Sequence, residues 1–481
     1  MPESRTVDVP QYIIGVPVLE HILGGIRPGS LIVILGHPGA GKTTFASKLI
    51  YENMRSLGVK AAYISLAERF EKYIEQMKSL GMDFEPLIAS GQFRYIHLPT
   101  LPGTEPAEEL ARLIGSLIEE GFRIFVIDSI TPILKGLEDA QARALLHSTL
   151  YDMANDYGAL FVVIADLPWG EESISLGGLE FVADGLFIMK TRLEGELLVR
   201  TMEIRKFRGA AIPLAEIPFT IVEGMGVRFY PFLPPEEIPP LDSSSLVSTG
   251  CRLLDDAWGM IPAGASISIL YPIGCNIPST ILGIIAKFII ENRLRVGLIS
   301  FELSGDALLQ AFTKTASLYG LDTRELSRLV VLKRSFNPTS YSIYELMGNI
   351  TSSIDMARPN LLILHGLTSL LKVYGSRNFV KMLYNLWLYL RSLRITMIRF
   401  AETLFRGPQL LPFPEYEELA MFSDVVHIVV PKPEGYSSML VHIIMKSIPR
   451  FVSESHNRDK PVMITDERLS HVCLGEYIAP Y

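Results

Sequence analysis

One pattern of residues occurs twice in this chain. The segment IIGVPVLEHILGGIRPGSLIVILGHPGAGKTT begins at Ile13, and the related segment VSTGCRLLDDAWGMIPAGASISILYPIGCNIPS begins at Val247. The two copies are offset by about 235 residues. Two later pairs of related segments keep the same order and begin at Phe122 and Pro359 and at Ala183 and Ser423. We therefore expect two halves that share one fold.

Each half alternates short apolar runs with longer helical patterns. Runs such as LIVILG, RIFVID and LFVVIAD are rich in β-branched residues and end at glycine or a charge, which is typical of strands buried on both faces. Helical patterns lie at 44–57 and 107–119. This alternation predicts an α/β fold with two tandem, doubly wound, mostly parallel sheets and helices on both faces. The last two strands of each half predict an antiparallel hairpin at the sheet edge.

The segment 231–246 separates the two copies. Its prolines and serine run predict a semi-rigid linker without regular secondary structure. We therefore expect one domain at 1–230 and a second at 247–450. The remaining residues, 451–481, have no evident counterpart in the first half, and they predict a tail or a packing appendage.

Composition excludes several classes of protein. The 481-residue chain is 48% hydrophobic, which argues against disorder, and its 44 basic and 52 acidic residues give a net charge of −8. Such a chain has no global basic field for nucleic acid or anionic lipid. Cys251, Cys275 and Cys473 lack a CxxC spacing, so we expect no disulfide framework, no zinc site and a reducing, cytoplasmic location. No signal peptide or uninterrupted membrane span is evident.

The residues from Gly36 to Thr43 fit the pattern GxxxxGK[ST], with a predicted strand before them and a predicted helix after them. In that context the backbone amides wrap phosphates, Lys42 reaches the β and γ phosphates, and the Thr43 hydroxyl coordinates Mg²⁺. The alternative is that these residues form an ordinary glycine-rich turn that does not bind a nucleotide. The predicted nucleotide-binding residues are Gly36, His37, Pro38, Gly39, Ala40, Gly41, Lys42, Thr43 and Thr44.

A second candidate metal residue is Asp128, which ends the apolar run RIFVID. A carboxylate at the carboxyl end of a buried strand can hold Mg²⁺ through water. An isolated aspartate in this position could also be a helix cap. Its combination with the glycine-rich loop favours the metal role, so Thr43 and Asp128 are the predicted Mg²⁺ residues.

Together with VPVLEHILGGIRPGS upstream, these residues resemble the RecA-like P-loop ATPases, and within them the KaiC and RadA branch. The resemblance covers nearly all of 13–231, where YISLAE, VIDSITPIL, EFVADG and IRKFRG occur in family order. It implies tandem RecA-like domains, ATP with Mg²⁺ as ligands, and a ring-like homo-oligomer, usually a hexamer. Each nucleotide would then lie between neighbouring subunits.

The resemblance also implies roles for three further residues. Glu68 falls where the family has a carboxylate that activates water, although the family usually has two adjacent acids and this chain has Ala67. Lys206 and Arg208 match the KxRG strand end, whose cations reach the neighbouring subunit's γ phosphate. The alternatives are that Glu68 simply begins an exposed helix and that Lys206 and Arg208 form a basic turn.

The second copy lacks the residues of the loop. Asn276 replaces Gly41, and Tyr271, Ile277, Pro278 and His365 stand where Gly36, Lys42, Thr43 and Asp128 stand in the first half. Leu303, preceded by Glu302, takes the place of Glu68, and Ile448 that of Arg208, while Lys446 matches Lys206. Proline has no N–H donor and isoleucine has no charge, so we expect the second half to be a scaffold or binding module.

Three functions remain from the sequence. The leading one is an ATP-binding, slowly hydrolysing molecular switch, with a further protein partner that the sequence does not identify. The second is a non-enzymatic regulator that binds ATP to hold a conformation. The third, a RadA-like recombinase acting on DNA, is disfavoured because the chain is acidic and because Glu171 and Glu172 follow LFVVIAD.

Overall fold

The computed structural model describes residues 11–98, 106–137, 141, 145–168, 182–194, 196–212, 215–230, 237–403, 417–431, 440–446 and 462–475. The chain divides into two compact units, Met1–Pro231 and Phe232–Tyr481. Four predicted features lie wholly or partly outside the described residues: Glu171 and Glu172, the linker residues 231–236, Ile448, and residues 451–461 and 476–481 of the tail.

The described residues of the first unit form a nine-stranded sheet with the order β3-β2-β4-β5-β1-β6-β7-β8-β9. Strands β1 to β6 pair in parallel and β6 to β9 in antiparallel fashion. The strands are β1 Leu31–Gly36, β2 Lys60–Ser65, β3 Phe93–His97, β4 Phe122–Asp128, β5 Leu160–Asp166, β6 Gly185–Glu194, β7 Leu197–Phe207, β8 Glu216–Val222 and β9 Gly226–Phe229.

Helices of the first unit connect and cover these strands. The predicted helical patterns at 44–57 and 107–119 are confirmed as parts of the second and fifth of them. They are α1 Pro17–Leu23, α2 Lys42–Leu57, α3 Phe70–Ser79, α4 Glu85–Ala89, α5 Pro106–Glu119, α6 Thr131–Lys135 and α7 Asp152–Tyr157, and a π-helical segment, Leu145–Tyr151, precedes the last of these.

The second unit repeats this plan. Its described strands form an eight-stranded sheet, β14-β13-β15-β16-β12-β17-β18-β19, and a separate pair, β10-β11. The strands are β10 Asp242–Val247, β11 Ile261–Ala263, β12 Ser266–Pro272, β13 Val296–Ser300, β14 Val330–Ser335, β15 Leu361–His365, β16 Thr396–Thr403, β17 Val425–Pro431, β18 Leu440–Lys446 and β19 Val462–Thr465. The helices are α8 Arg252–Trp258, α9 Ser279–Glu291, α10 Gly305–Leu318, α11 Thr323–Leu329, α12 Ile343–Ala357, α13 Leu367–Ser392, α14 Glu417–Ala420 and α15 Asp466–Leu474.

Each sheet is buried on both faces, as the continuous apolar runs predict. In β1, Ile32 and Ile34 belong to the core on one face, where they join Phe45 of α2. Leu31 and Val33 belong to the core on the opposite face. A strand alternates its side chains between faces, so an apolar residue at every position requires cover on both sides. The predicted α/β fold with large, mostly parallel sheets is therefore confirmed.

Three local expectations need correction. The hairpin β6–β7 is antiparallel as predicted, but β8 and β9 follow it, so it does not form the sheet edge. Residues 242–246 of the predicted linker belong to the strand Asp242–Val247, which pairs with Ile261–Ala263. The segment beyond 450 does have a counterpart in the first half, since β19 pairs antiparallel with β18 just as β8 pairs with β7.

The cysteines form a further exception. Cys251 and Cys473 form a disulfide, whereas Cys275 is an exposed free thiol. The bonded pair is separated by 222 residues in sequence. The sequence spacing gave no indication of this pair, because the packing of α15 against α8 and α9, rather than local sequence, brings the two thiols together. Among the helices that the structure describes, none has the length and apolar character of a membrane-crossing segment.

Candidate functional site

The glycine-rich loop leaves the centre of the first sheet. Gly36 is the last residue of β1 and pairs in register with Asp166 on β5 and Met189 on β6. A Cβ atom at Gly36 would lie 2.3 Å from the Met189 carbonyl oxygen, so this position admits no side chain. Gly41 has a φ of +94°, a conformation that favours glycine, and the next residue begins α2. The loop therefore places the N-terminus of a long helix at the carboxyl edge of the sheet, where anions bind.

Lys42 is buried beneath this loop. Its Nζ donates to the carbonyl oxygens of Gly36 at 2.9 Å and His37 at 3.1 Å. It also forms an ion pair with Asp166 Oδ1 at 3.1 Å. An ammonium group has three donors, and these three acceptors hold the charge against the loop. Lys42 is thus held against the backbone of the glycine-rich loop.

Thr43 and Asp128 lie side by side, as the predicted metal role requires. The Thr43 hydroxyl donates to Asp128 Oδ2 at 2.6 Å, and the Tyr63 hydroxyl donates to the same oxygen. Burial raises the pKa of the Asp128 carboxyl, while the hydrogen bonds from Thr43 and Tyr63 and the nearby charge of Lys42 oppose that rise. The arrangement joins one hydroxyl and one carboxylate, both hard oxygen ligands.

This pair fits Mg²⁺ held jointly with a nucleotide. Mg²⁺ keeps several waters and usually takes one or two protein oxygens together with phosphate oxygens. The described residues contain no cluster of three or more histidine, cysteine or acidic side chains that could hold a metal by themselves. Thr43 and Asp128 would therefore hold Mg²⁺ in company with phosphates.

Glu68 lies at the same edge of the sheet, where its carbonyl oxygen accepts a hydrogen bond from the Tyr95 hydroxyl of β3 at 2.8 Å, but its carboxylate contacts its own segment. Glu68 is three positions beyond Ser65, which ends β2 and pairs in register with Asp128. The Glu68 carboxylate forms an ion pair with Lys72 at 3.3 Å, and its amide donates to Ser65 Oγ at 2.9 Å. Helix α3 begins at Phe70, so Glu68 precedes the helix that the alternative interpretation assigned to it.

Lys206 and Arg208 lie at the opposite edge of the sheet. Phe207, between them, pairs with Gly185, which in turn pairs with Ile32 near the start of β1. Gly36 lies four residues beyond Ile32, which corresponds to about 13 Å along β1. Arg208 Nη1 donates to Asp184 Oδ1 at 2.8 Å. The structure therefore does not bring these cations to Lys42 of the same chain.

The electrostatic surroundings of the two cations differ. Burial lowers the pKa of Lys206, and the neighbouring charge of Arg208 acts in the same direction. A hydrogen bond to Tyr151 and the charge of Asp184 raise the pKa of the Arg208 guanidinium. Arg208 consequently keeps a fixed charge at an exposed strand end, which is the property that a contact to a neighbouring molecule needs.

The matching position in the second unit has different chemistry. Tyr271, the next-to-last residue of β12, stands at the position that matches Gly36 in the first unit. Its hydroxyl lies 3.4 Å from His365 Nε2. The other nitrogen of that buried histidine lies 3.1 Å from Ser300 Oγ. Burial lowers the pKa of His365. Pro278 immediately precedes α9 and has no N–H to offer an anion. A neutral, side-chain-filled cluster thus replaces the lysine, threonine and aspartate of the first unit.

Two residues of the first site were not among the sequence-based candidates. Asp166 contacts Lys42 and accepts a hydrogen bond from Ser129 Oγ at 2.7 Å, and Tyr63 contacts Asp128. Asp166 ends the run LFVVIAD just as Asp128 ends RIFVID, so the signal was present in the sequence. What the sequence lacked was the strand order that sets β5 directly beside β1.

A doubly wound sheet, a glycine-rich loop that leads from its central strand into a helix, and an aspartate hydrogen-bonded to the start of that helix define the RecA-like P-loop class. Residues 13–233 match the family model described as "ATPase: KaiC". This match spans the first unit, which is therefore similar to KaiC-type ATPases, and the tandem chain is similar to KaiC proteins along most of its length.

Two relatives illustrate that relationship. Over 414 residues the chain is 25% identical to the circadian clock protein KaiC3 of Synechocystis sp., covering 82% of this chain and 79% of the relative. Over 388 residues it is 24% identical to the circadian clock oscillator protein KaiC of Synechococcus elongatus, covering 78% and 72% of the two chains. Both alignments are longer than either unit, so the similarity extends over the tandem arrangement.

Proposed function

We propose that this protein binds Mg-ATP in its first unit and hydrolyses it slowly, acting as an oligomeric molecular switch. The observation that carries the proposal is the convergence of Lys42, Thr43 and Asp128 at the end of the glycine-rich loop. The nucleotide-binding residues of the proposal are those of the loop and helix start, 36–44. Lys42 would contact the β and γ phosphates, and Thr43 and Asp128 would hold Mg²⁺, which neutralises phosphate charge when bound.

Turnover needs two more contributions. Glu68, three residues beyond β2 at the loop edge, is the proposed general base for water. Lys206 and Arg208, at the far edge of the sheet, would act on the nucleotide of a neighbouring subunit in a homo-oligomeric ring, possibly a hexamer. Their separation from Lys42 within one chain supports this assignment, because only a second copy could bring the two edges together.

The second unit enters the proposal as a scaffold. Its Tyr271 and His365 occupy the loop position with neutral, buried groups, and this supports a single nucleotide site per chain. The names of the two relatives refer to circadian clocks. A clock protein that phosphorylates itself would need an active second site, so we do not extend that role to this chain. We propose instead a cytoplasmic switch that acts with an unidentified protein partner and binds no nucleic acid or membrane.

One observation favours a second candidate, a non-enzymatic regulator that binds ATP only to hold a conformation. The carboxylate of Glu68 is engaged by Lys72, and Ala67 stands where the family usually has a second acid. If that ion pair persists with nucleotide bound, the first unit binds ATP without turning it over. The two candidates therefore differ in the role of one carboxylate.

The Glu68→Gln variant separates the two candidates. Glutamine keeps the size and hydrogen bonding of the side chain but removes its basicity, so ATP binding should persist while phosphate release falls by about 100-fold. Phosphate release is measured with and without DNA, because stimulation by DNA would support a nucleic-acid enzyme. The matched control is Glu71→Gln, an exposed acid of α3 in the same segment. Turnover that is equal in wild type, Glu68→Gln and Glu71→Gln would exclude Glu68 as the base.

A further inference from the structure

Asp166 lies at the mouth of the glycine-rich loop. It is the last residue of β5, and it pairs in register with Gly36 at the end of β1. Its backbone amide donates to Thr131 Oγ1 at 2.8 Å, and its Oδ2 accepts from Ser129 Oγ at 2.7 Å. The bond from Ser129 holds the carboxylate and the amide bond holds its backbone, both independently of Lys42. Its other oxygen, Oδ1, is then held 3.1 Å from the lysine ammonium.

The ion pair between Asp166 and Lys42 is asymmetric in its exposure. The Lys42 side chain is 9% exposed, whereas the Asp166 side chain is 47% exposed. The carboxylate therefore lies on the open side of the ammonium, and the carbonyl oxygens of Gly36 and His37 lie on the loop side. A phosphate that binds Lys42 must therefore compete with this carboxylate. It must displace a negative charge from the lysine or bind beside it.

The second unit supplies an independent observation at the same position. Glu402 on β16 pairs in register with Tyr271, as Asp166 pairs with Gly36. Its carboxylate accepts a hydrogen bond from the backbone of Gly274, a residue of the segment that matches the glycine-rich loop. Both repeats thus place a carboxylate from the end of this strand against the loop. In the second unit it takes a backbone amide of the kind that cradles phosphate in the first.

We propose that Asp166 is an internal competitor of the nucleotide phosphates for Lys42 and thereby sets the affinity of the site. This inference rests on the proposed function of the first unit and adds a positioning residue to it. Asp166 neutralises the buried ammonium in the nucleotide-free protein and keeps it extended toward the loop mouth. Nucleotide binding exchanges the carboxylate for phosphate oxygens, so part of the phosphate–lysine attraction replaces a contact that already exists. Nucleotide affinity is correspondingly lower than the loop alone would give.

The Asp166→Asn variant tests this exchange. Asparagine keeps the size of the side chain and an oxygen that accepts from Ser129, but it has no charge. The dissociation constants of Mg-ATP and Mg-ADP should fall by about tenfold or more, because removal of one charge at hydrogen-bond distance strengthens the lysine–phosphate contact. The dissociation constant of AMP, which has no β or γ phosphate for Lys42, should change little. Titration calorimetry with the full chain gives all three values.

Glu402→Gln is the matched control, since it removes the carboxylate at the same repeat position in the second unit. It should leave the affinity for Mg-ATP unchanged. If thermal melting shows that Asp166→Asn does not fold, Asp166→Ser gives the same comparison with a smaller neutral side chain. A wild-type protein that binds Mg-ATP as tightly as the folded neutral variant, or more tightly, overturns the role of Asp166 and leaves the proposed function intact. Absence of ATP binding in wild type and variant alike overturns the proposed function and this inference together.

Discussion

Ionisation of the Asp128 carboxyl group affects folding stability and the proposed Mg²⁺ contact in opposite directions. Burial raises its pKa, so the folded protein binds that proton more tightly than the unfolded chain does. Stability from this group therefore falls as pH rises from the usual carboxyl range through the raised pKa. At neutral pH the ionised carboxylate is a destabilising group, while the proposed Mg²⁺ contact requires that charge.

Replacement of Asp128 by asparagine should separate these two effects. Without nucleotide, Asp128→Asn should melt at a higher temperature than wild type at neutral pH, because the amide does not ionise. The further stabilisation by Mg-ATP should be lost or much reduced. Thermal unfolding with and without Mg-ATP measures both, and Asp152→Asn, at an exposed acid, is the control. A variant that melts lower without ligand, yet keeps the full shift with Mg-ATP, would contradict both roles.

At the residue scale, the sequence marks candidate site residues where chemistry and local context coincide. Lys42, Thr43 and Asp128 could be predicted because a motif and the end of an apolar run mark them. Asp166 carries the same local mark, but its role depends on which strand lies beside β1. The sequence does not give that order, because strand neighbours in a parallel sheet are set by long-range packing.

At the scale of elements, a buried chain of hydrogen bonds connects the C-terminal helix to the second sheet. Trp258 Nε1 donates to His427 Nδ1 at 3.0 Å. His427 Nε2 lies 2.9 Å from His442 Nδ1, and His442 Nε2 lies 2.7 Å from Asp466 Oδ1. Because the indole nitrogen only donates, His427 accepts at Nδ1 and donates from Nε2 to His442, which in turn donates from Nε2 to Asp466. The chain thereby connects α8, β17, β18 and α15.

Acid should weaken this connection. Burial holds the pKa of His427 well below its usual value, and the adjacent His442 acts in the same direction. The unfolded chain therefore takes up a proton first, and stability is lost as pH falls below about 6.5. A protonated His427 would also turn an N–H toward the Trp258 donor. Trp258 and His442 are the groups that face His427, and Asp466 faces His442 from α15.

The melting temperature of the second unit should thus fall between pH 7.5 and pH 5. The change should be smaller in His427→Phe, which is destabilised at all pH values but has no proton to gain at this position. Differential scanning calorimetry of the full chain at several pH values provides the comparison. Parallel pH profiles for wild type and His427→Phe would show that this histidine does not control the acid response.

The elements themselves were largely predictable, whereas their long-range contacts were not. Apolar runs gave the parallel strands, and the helical patterns gave α2 and α5. The strand Val462–Thr465 and the Cys251–Cys473 disulfide were missed. A four-residue strand is too short to show a clear periodicity in the sequence. The disulfide joins two cysteines 222 residues apart, so local sequence does not predict it.

At the scale of the whole molecule, the two edges of the first sheet carry complementary parts of the proposed site. Lys42→Ala chains lack the phosphate contact but keep Arg208, and Arg208→Ala chains have the reverse defect. If the site forms between subunits, mixed oligomers should recover part of the ATPase activity that either variant lacks alone. Phosphate release is assayed on assemblies shown by differently tagged chains to contain both variants. Mixed assemblies as inactive as the two parents would indicate that Arg208 does not act across a subunit boundary.

We expect the tandem chain to have one nucleotide site, in its first unit, and the second unit to contribute packing instead of nucleotide binding. The most direct measurement is the number of ATP molecules bound per chain at saturation in the presence of Mg²⁺. We expect one per chain in wild type and none in Lys42→Ala, because that variant removes the charge that contacts the phosphates. The change Ile277→Ala, at the matching position of the second unit, should leave the value at one. Two ATP molecules per wild-type chain, or one that persists in Lys42→Ala, would show that the first unit does not hold a single, Lys42-dependent nucleotide site.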